Sequence, residues 1–207
     1  VHTFLQVKRS NSSAGGTDLE RIGPAENFVR AKGASLVVGA GEQQLQLRGI
    51  GFGNDCYTMD RDQVPDPIGL ARGDDDLEGT ARGYYGEQPY INVAAMGMNV
   101  VRFYLNYYMF VDPSVDPYQY RPEVWSWLDD NIAWAREHGV YLILNIHVPQ
   151  GGYQPDGDGN GTPDGLDLWR GPEYQKQLRA LWRSIAGRYS TESQIAGYDL
   201  LNEPTVL

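Results

Sequence analysis

The chain has 207 residues, 21% charged and 41% hydrophobic, the balance of a folded globular protein and not of a disordered one. Its formal net charge of −10 argues against nucleic-acid and anionic-membrane partners. It suits a neutral substrate and leaves acidity to spare for a cation. The one cysteine, Cys56, excludes an internal disulfide, and no apolar run approaches the ~18 residues that mark a membrane span. Val1–Ser10 lacks the charged start, apolar run and cleavage site of a signal peptide. A secreted location is expected all the same, with the signal already removed.

Residues 1–27 read as a polar, Ser/Gly-rich N-terminal extension, and 28–207 as one domain opening with a β-hairpin over 28–46. The hairpin candidates are Phe28-Val29-Arg30, Ser35–Val38 and Gln44–Leu47, with Gly39-Ala40-Gly41 as the turn between the last two. Leu47–Gly53 reads as a first buried strand. Asn54–Gly83, rich in Asp, Gly and Pro, reads as a long loop over one end of the domain. Glu87–Met96 fits a short helix stopped by Gly97, and Asn99–Leu105 a β-branched and aromatic strand. Arg121–His138 predicts a helix: Pro122 sits in its first turn, and Val124, Trp125, Leu128, Ile132 and Ala135 form one stripe. Val140–Val148 is nearly continuous apolar chain, as in a strand buried on both faces. A second loop, Pro149–Gly171, precedes a helix over Glu173–Tyr189 that faces the core with Leu178, Leu181, Trp182 and Ile185. Ile195–Leu201 is the fourth buried strand.

Parallel strands joined by helices build an open doubly wound sheet or a barrel. No glycine-rich phosphate loop follows the first strand, and the polar residues gather at several strand ends, as in a (β/α)8 barrel of the TIM type. The expected fold is therefore α/β, the N-terminal half of such a barrel with strands 1–4.

Two motifs carry chemistry. The first is Asn202-Glu203-Pro204, delivered at the end of the fourth strand. A glutamate there, beside an amide side chain, suits acid/base work on a sugar, against the plainer role of a structural strand-end residue. Retaining glycoside hydrolysis needs two carboxyl groups about 5–5.5 Å apart, one attacking and one protonating the leaving oxygen. The second motif is Asp156–Asp167, which fits the twelve-residue calcium loop at positions 1, 3, 5, 6 and 9. Its ligands would be Asp156, Asp158, Asn160, Asp164, Asp167 and the carbonyl of Thr162, holding a structural Ca2+. The competing reading is a solvated Asp/Gly turn. Asp167 stands where the pattern has glutamate, and the loop joins a strand to a helix instead of two helices.

Leu47-Arg48-Gly49-Ile50, Met96–Arg102, Gly139–His147 and Tyr198–Pro204, in this order and spacing, resemble glycoside hydrolase family 5, the cellulase-type retaining glycosidases. The resemblance implies that Glu203 is the general acid/base and that Asn202 bonds the sugar 2-hydroxyl. It implies that Arg102 orients the nucleophile and that His147 lines the subsite at the cleaved bond. Trp169, Tyr153, Tyr107 and Tyr108, in or near loops at the same end, are candidates to stack on sugar rings, as well as ordinary loop packing. The family's strand-seven nucleophile, strand-six histidine or tyrosine and strand-eight tryptophan have no counterparts here, and Asn145 stands where aspartate is common. The implied activity is endo-hydrolysis of a β-1,4-linked polysaccharide, cellulose-type glucan first and β-mannan second. The implied partner is the C-terminal half of the barrel or a second copy of the chain. The rival reading is a non-catalytic, calcium-stabilised carbohydrate-binding or assembly module.

Overall fold

In the computed structural model of the chain, residues 27–52, 86–111, 116–152 and 167–204 are described. The first element is a three-stranded antiparallel sheet of β1 (Arg30–Lys32), β2 (Ser35–Val38) and β3 (Gln43–Leu45), in that order. The expected hairpin is thus a meander. Gly33 and Gly39 make its two turns in the left-handed region, at φ 59 and 79.

The second sheet is parallel and four-stranded: β4 (Gly49–Gly51), β5 (Val100–Asn106), β6 (Tyr141–Val148) and β7 (Ile195–Asp199). Its spatial order, β4-β5-β6-β7, is the chain order. Doubly wound sheets reverse strand order partway across; among the described residues this sheet does not.

Among the described residues, five helices accompany it: α1 (Glu87–Ala95), α2 (Tyr107–Phe110), α3 (Pro122–Glu137), α4 (Asp167–Arg170) and α5 (Pro172–Arg188). Pro122 and Pro172 lie in the first turns of α3 and α5, where a missing N–H costs nothing. Gly139, at φ 68, stops α3, and Val140 N–H donates back to the Ala135 carbonyl at 2.7 Å.

Strand alternation decides what faces what. Val101, Phe103 and Leu105 of β5 and Leu142, Leu144 and Ile146 of β6 enter one core with Tyr90 and Val93 of α1. Val124, Trp127, Leu128, Ile132 and Ala135 of α3 and Leu181 and Ile185 of α5 complete it. Burial of each large apolar side chain contributes about 1.5–3 kcal/mol. Asn131 lies on the buried stripe of α3, but its Oδ1 accepts from the Tyr90 hydroxyl (3.0 Å) and its Nδ2 donates to the Trp127 carbonyl (2.8 Å). The alternate positions on the sheet's other face are Arg102 and Tyr104 of β5, and Ile143, Asn145 and His147 of β6. They are largely polar and, Asn145 apart, half-buried. The strand expected to be buried on both faces therefore has one helix-covered face and one polar face.

Several expectations shift. The first buried strand shrinks to Gly49–Gly51, and Ile50 is 46% exposed. Both glycines are demanded by β5: a Cβ on Gly49 would lie 1.7 Å from the Val100 carbonyl oxygen. The short α2 follows β5 directly, and α4 interrupts the expected loop over Pro149–Gly171. The expected extension before residue 27 and all of the expected loop over Asn54–Gly83 lie outside the described residues. None of the described helices is long and apolar enough to cross a membrane.

Candidate active site

The polar face of the parallel sheet carries the site. Arg102 points from β5 across β6 towards β7. Its Nε and Nη2 both donate to Asp199 Oδ2, at 2.8 and 2.7 Å. Adjacent strands lie about 4.8 Å apart, so a side chain of this length is needed to bridge the intervening one. Nη2 also donates to Asn202 Oδ1 at 2.9 Å. Burial opposes the arginine's charge, but the bonds to Asp199 and Tyr104 outweigh it and raise its pKa.

Tyr104 sits between two partners. The Arg102 guanidinium carbon lies 4.7 Å from the centre of its ring, and the His147 ring stacks on it at 4.6 Å and 26°. Gly51 makes room, since a Cβ there would lie 2.7 Å from the Tyr104 hydroxyl oxygen. Burial, followed by the Arg102 charge, pushes the His147 pKa down to about 4, while the Glu203 and Asp199 carboxylates oppose the shift. His147 is thus neutral at neutral pH, and Glu203 is close enough to act on it.

The segment after β7 is pinned at several points. Asn145 Nδ2 donates to the Asp199 carbonyl (3.2 Å), Trp182 Nε1 to the Leu200 carbonyl (3.0 Å), and the Asn202 N–H to the Ile146 carbonyl (3.1 Å). Asn202 is buried at 5% exposure, whereas Glu203 is exposed with φ 41. A non-glycine residue in the left-handed region is uncommon and costs of order 1–3 kcal/mol. Here the turn projects the carboxylate from the end of β7 instead of continuing the strand.

Four expected residues, Arg102, His147, Asn202 and Glu203, therefore converge. Trp169 does not join them through any contact among the described residues: it stands on α4, 42% exposed. Tyr107 is buried in the core, where it packs edge-on against Tyr108 at 5.6 Å, so the packing reading holds for it. Trp127 is a core residue. Asp167 begins α4, and its carbonyl accepts from the Gly171 N–H. Asp156, Asp158, Asn160, Thr162 and Asp164, with Tyr153, lie outside the described residues.

Sequence reasoning gave no role to Asp199 or Tyr104. The signal available was period-2 alternation: Tyr104 shares a strand face with Arg102, and Asp199 pairs in register with Asn145.

Fold and site together define an α/β protein whose polar side chains meet at the C-terminal ends of parallel strands. Residues 80–206, more than half the chain, match the cellulase (glycosyl hydrolase family 5) model. The chain belongs to that family. It is 25% identical over 190 residues to a beta-xylosidase of Phanerodontia chrysosporium, covering 86% of this chain and 40% of the relative. It is 32% identical over 120 residues to a glucan 1,3-beta-glucosidase of Blumeria graminis, covering 57% and 27%. The chain thus spans well under half the length of these relatives. Among solved structures, an endogalactoceramidase aligns with a TM-score of 0.61 at 17% identity, over 86% of this chain and 44% of that one. Endo-glycoceramidase II from Rhodococcus sp. aligns at 0.57 and 20%, over 80% and 41%. These two likenesses bear on the fold.

Proposed function

We propose that the chain forms the acid/base half of a (β/α)8 glycosidase that hydrolyses β-linked glucan with retention. The observation that carries this reading is the Arg102–Asn202 bond beside Glu203 at the end of β7. It holds an amide and a projecting carboxyl group side by side on a polar sheet face. In this reading Glu203 protonates the leaving oxygen and then deprotonates the incoming water. Asn202 bonds the sugar 2-hydroxyl, His147 lines the subsite as a neutral ring, and Trp169 offers an exposed face to a further sugar. Arg102, already engaged by Asp199, adds positive charge where negative charge gathers.

In this reading the nucleophile of the retaining pair is supplied from outside these 207 residues, by the C-terminal half of the barrel. The sequence pattern favours endo-cleavage of β-1,4-glucan. The names of the glucan 1,3-beta-glucosidase relatives bring β-1,3-glucan forward as the second linkage and place β-mannan behind it. Secretion suits a polymeric substrate of this kind. A structural Ca2+ held by Asp156–Asp167 completes the proposal.

Glu203→Gln tests it in the protein's complete, active form. The variant should lose about 10²–10⁴-fold in turnover on natural glucans, the usual contribution of general acid–base catalysis. Its first step on an aryl glycoside with an activated leaving group, which needs no protonation, should be nearly unchanged. Glucan turnover equal to that of the parent would refute the acid/base role and leave the carbohydrate-binding alternative. Running β-1,4- and β-1,3-glucans side by side assigns the linkage. An NMR time course showing inverted product would exclude retention.

A further inference from the structure

The established likenesses leave Asp199 without a role, yet the site is built on it. It is the last residue of β7, and its side chain is 19% exposed. One of its oxygens receives both Arg102 donors. The same arginine nitrogen, Nη2, continues to Asn202 Oδ1. The carboxylate, guanidinium and amide therefore form one chain of charge-assisted bonds, and such bonds are roughly twice as strong as neutral ones.

We propose that Asp199 is a positioning residue: it fixes Arg102, which fixes the Asn202 amide and hence the hydrogen bond to the sugar 2-hydroxyl. This rests on the acid/base reading of the same site and deepens it.

The geometry supplies the reason. With Oδ1 accepting from Arg102, the Asn202 amide can turn only its Nδ2 outward, so the residue is set as a donor. Without Asp199 the arginine could swing away, and the amide could rotate to present oxygen or nitrogen. A contact to the 2-hydroxyl strengthens in the oxocarbenium-like transition state. Loss of its orientation should therefore lower kcat more than it raises KM. A residue that only holds the fold would act on every substrate alike.

The test compares Asp199→Asn with the parent on two aryl β-glucosides, one bearing the 2-hydroxyl and its 2-deoxy counterpart. On the hydroxylated substrate kcat/KM should fall about 10- to 100-fold, carried by kcat, the scale expected for a misplaced contact. On the 2-deoxy substrate it should change less than about threefold, because the positioned contact is absent there. Equal losses on both substrates, or none on either, would overturn the proposal while leaving Glu203 as acid/base. The NMR signals of the Asn202 side-chain amide, assigned with Asn202→Asp, should also shift and broaden in the Asp199→Asn variant. Unchanged signals would overturn the proposal independently of turnover. Turnover is read in the complete, nucleophile-bearing form; if that parent hydrolyses nothing, the acid/base reading fails instead, and the amide signals still decide the positioning role. Should Asp199→Asn not fold, Asp199→Glu carries the same comparison, since it keeps the charge but moves the carboxylate by one methylene.

Discussion

Arg102 and Asp199, 97 residues apart in sequence, are joined by two hydrogen bonds to one carboxylate oxygen, at 2.8 and 2.7 Å. This contact spans β6 and ties the second strand of the parallel sheet to the fourth. It also explains why the arginine is not a generic cation. Lysine is a single point charge and cannot serve Asp199 and Asn202 together with a planar fork. Arg102→Lys should destabilise the fold by about 1–3 kcal/mol, the range for losing charged hydrogen bonds at a partly buried site. The midpoint of urea unfolding, at unchanged m, checks it.

Gly51 and Tyr104 make a second dependence. The tyrosine hydroxyl occupies space that any side chain at residue 51 would need, with 2.7 Å between that oxygen and an added Cβ. Gly51→Ala should push Tyr104 out of its stack on His147 at a cost of about 1–3 kcal/mol, typical of overpacking. The His147 ring protons, shifted by the tyrosine ring current in the parent, should move back towards ordinary positions. A variant with unchanged His147 signals would show that the stack accommodates the methyl group.

The sequence made the four parallel strands and three long helices legible because each has a clear period and a clear stop. Pro122 opens α3, Gly139 closes it, and the Val124–Ala135 stripe marks the buried face. Glu203, Asn202, His147 and Arg102 were legible because they end strands or share one face of a strand. What stayed hidden depends on distance in three dimensions. Asp199 looks like an ordinary strand residue until β7 lies beside β6 and Arg102 reaches over. Gly49-Ile50-Gly51 reads as a buried strand, but its glycines answer to the closeness of β5 and not to a core. The four-residue α2 and α4 are too short to show a helical period.

Calcium removal tests the acidic loop motif. If Asp156–Asp167 wraps a structural Ca2+, EDTA should lower the melting temperature and added calcium should restore it. Ligand at 100 times its dissociation constant stabilises by about 2.7 kcal/mol, enough to be visible in a thermal scan. Magnesium should restore less, because it dehydrates reluctantly in all-protein cages. Asp158→Asn together with Asp156→Asn should abolish the calcium-dependent shift. A melting temperature indifferent to EDTA and to calcium would make the segment a solvated turn.

His147 gives the site a defined pH dependence. Its pKa falls from the ordinary 6.5 to about 4, through burial first and the Arg102 charge second. The unfolded chain therefore takes up the proton before the folded one does. Stability from the neutral ring is fully present above pH 6.5, declines as pH falls, and is lost by about pH 4, where the folded histidine also protonates. His147→Gln removes the titration while keeping a polar side chain, so the urea midpoint should vary less with pH across that window. In the parent, the His147 ring proton should titrate near pH 4 by NMR. Arg102→Lys moves positive charge in the same pocket and should shift that midpoint, whereas Glu203→Gln removes a carboxylate that opposes the depression and should lower it further. A His147 midpoint near 6.5 in the parent would mean that the ring is solvated and that the Arg102–Tyr104–His147 stack is open in solution.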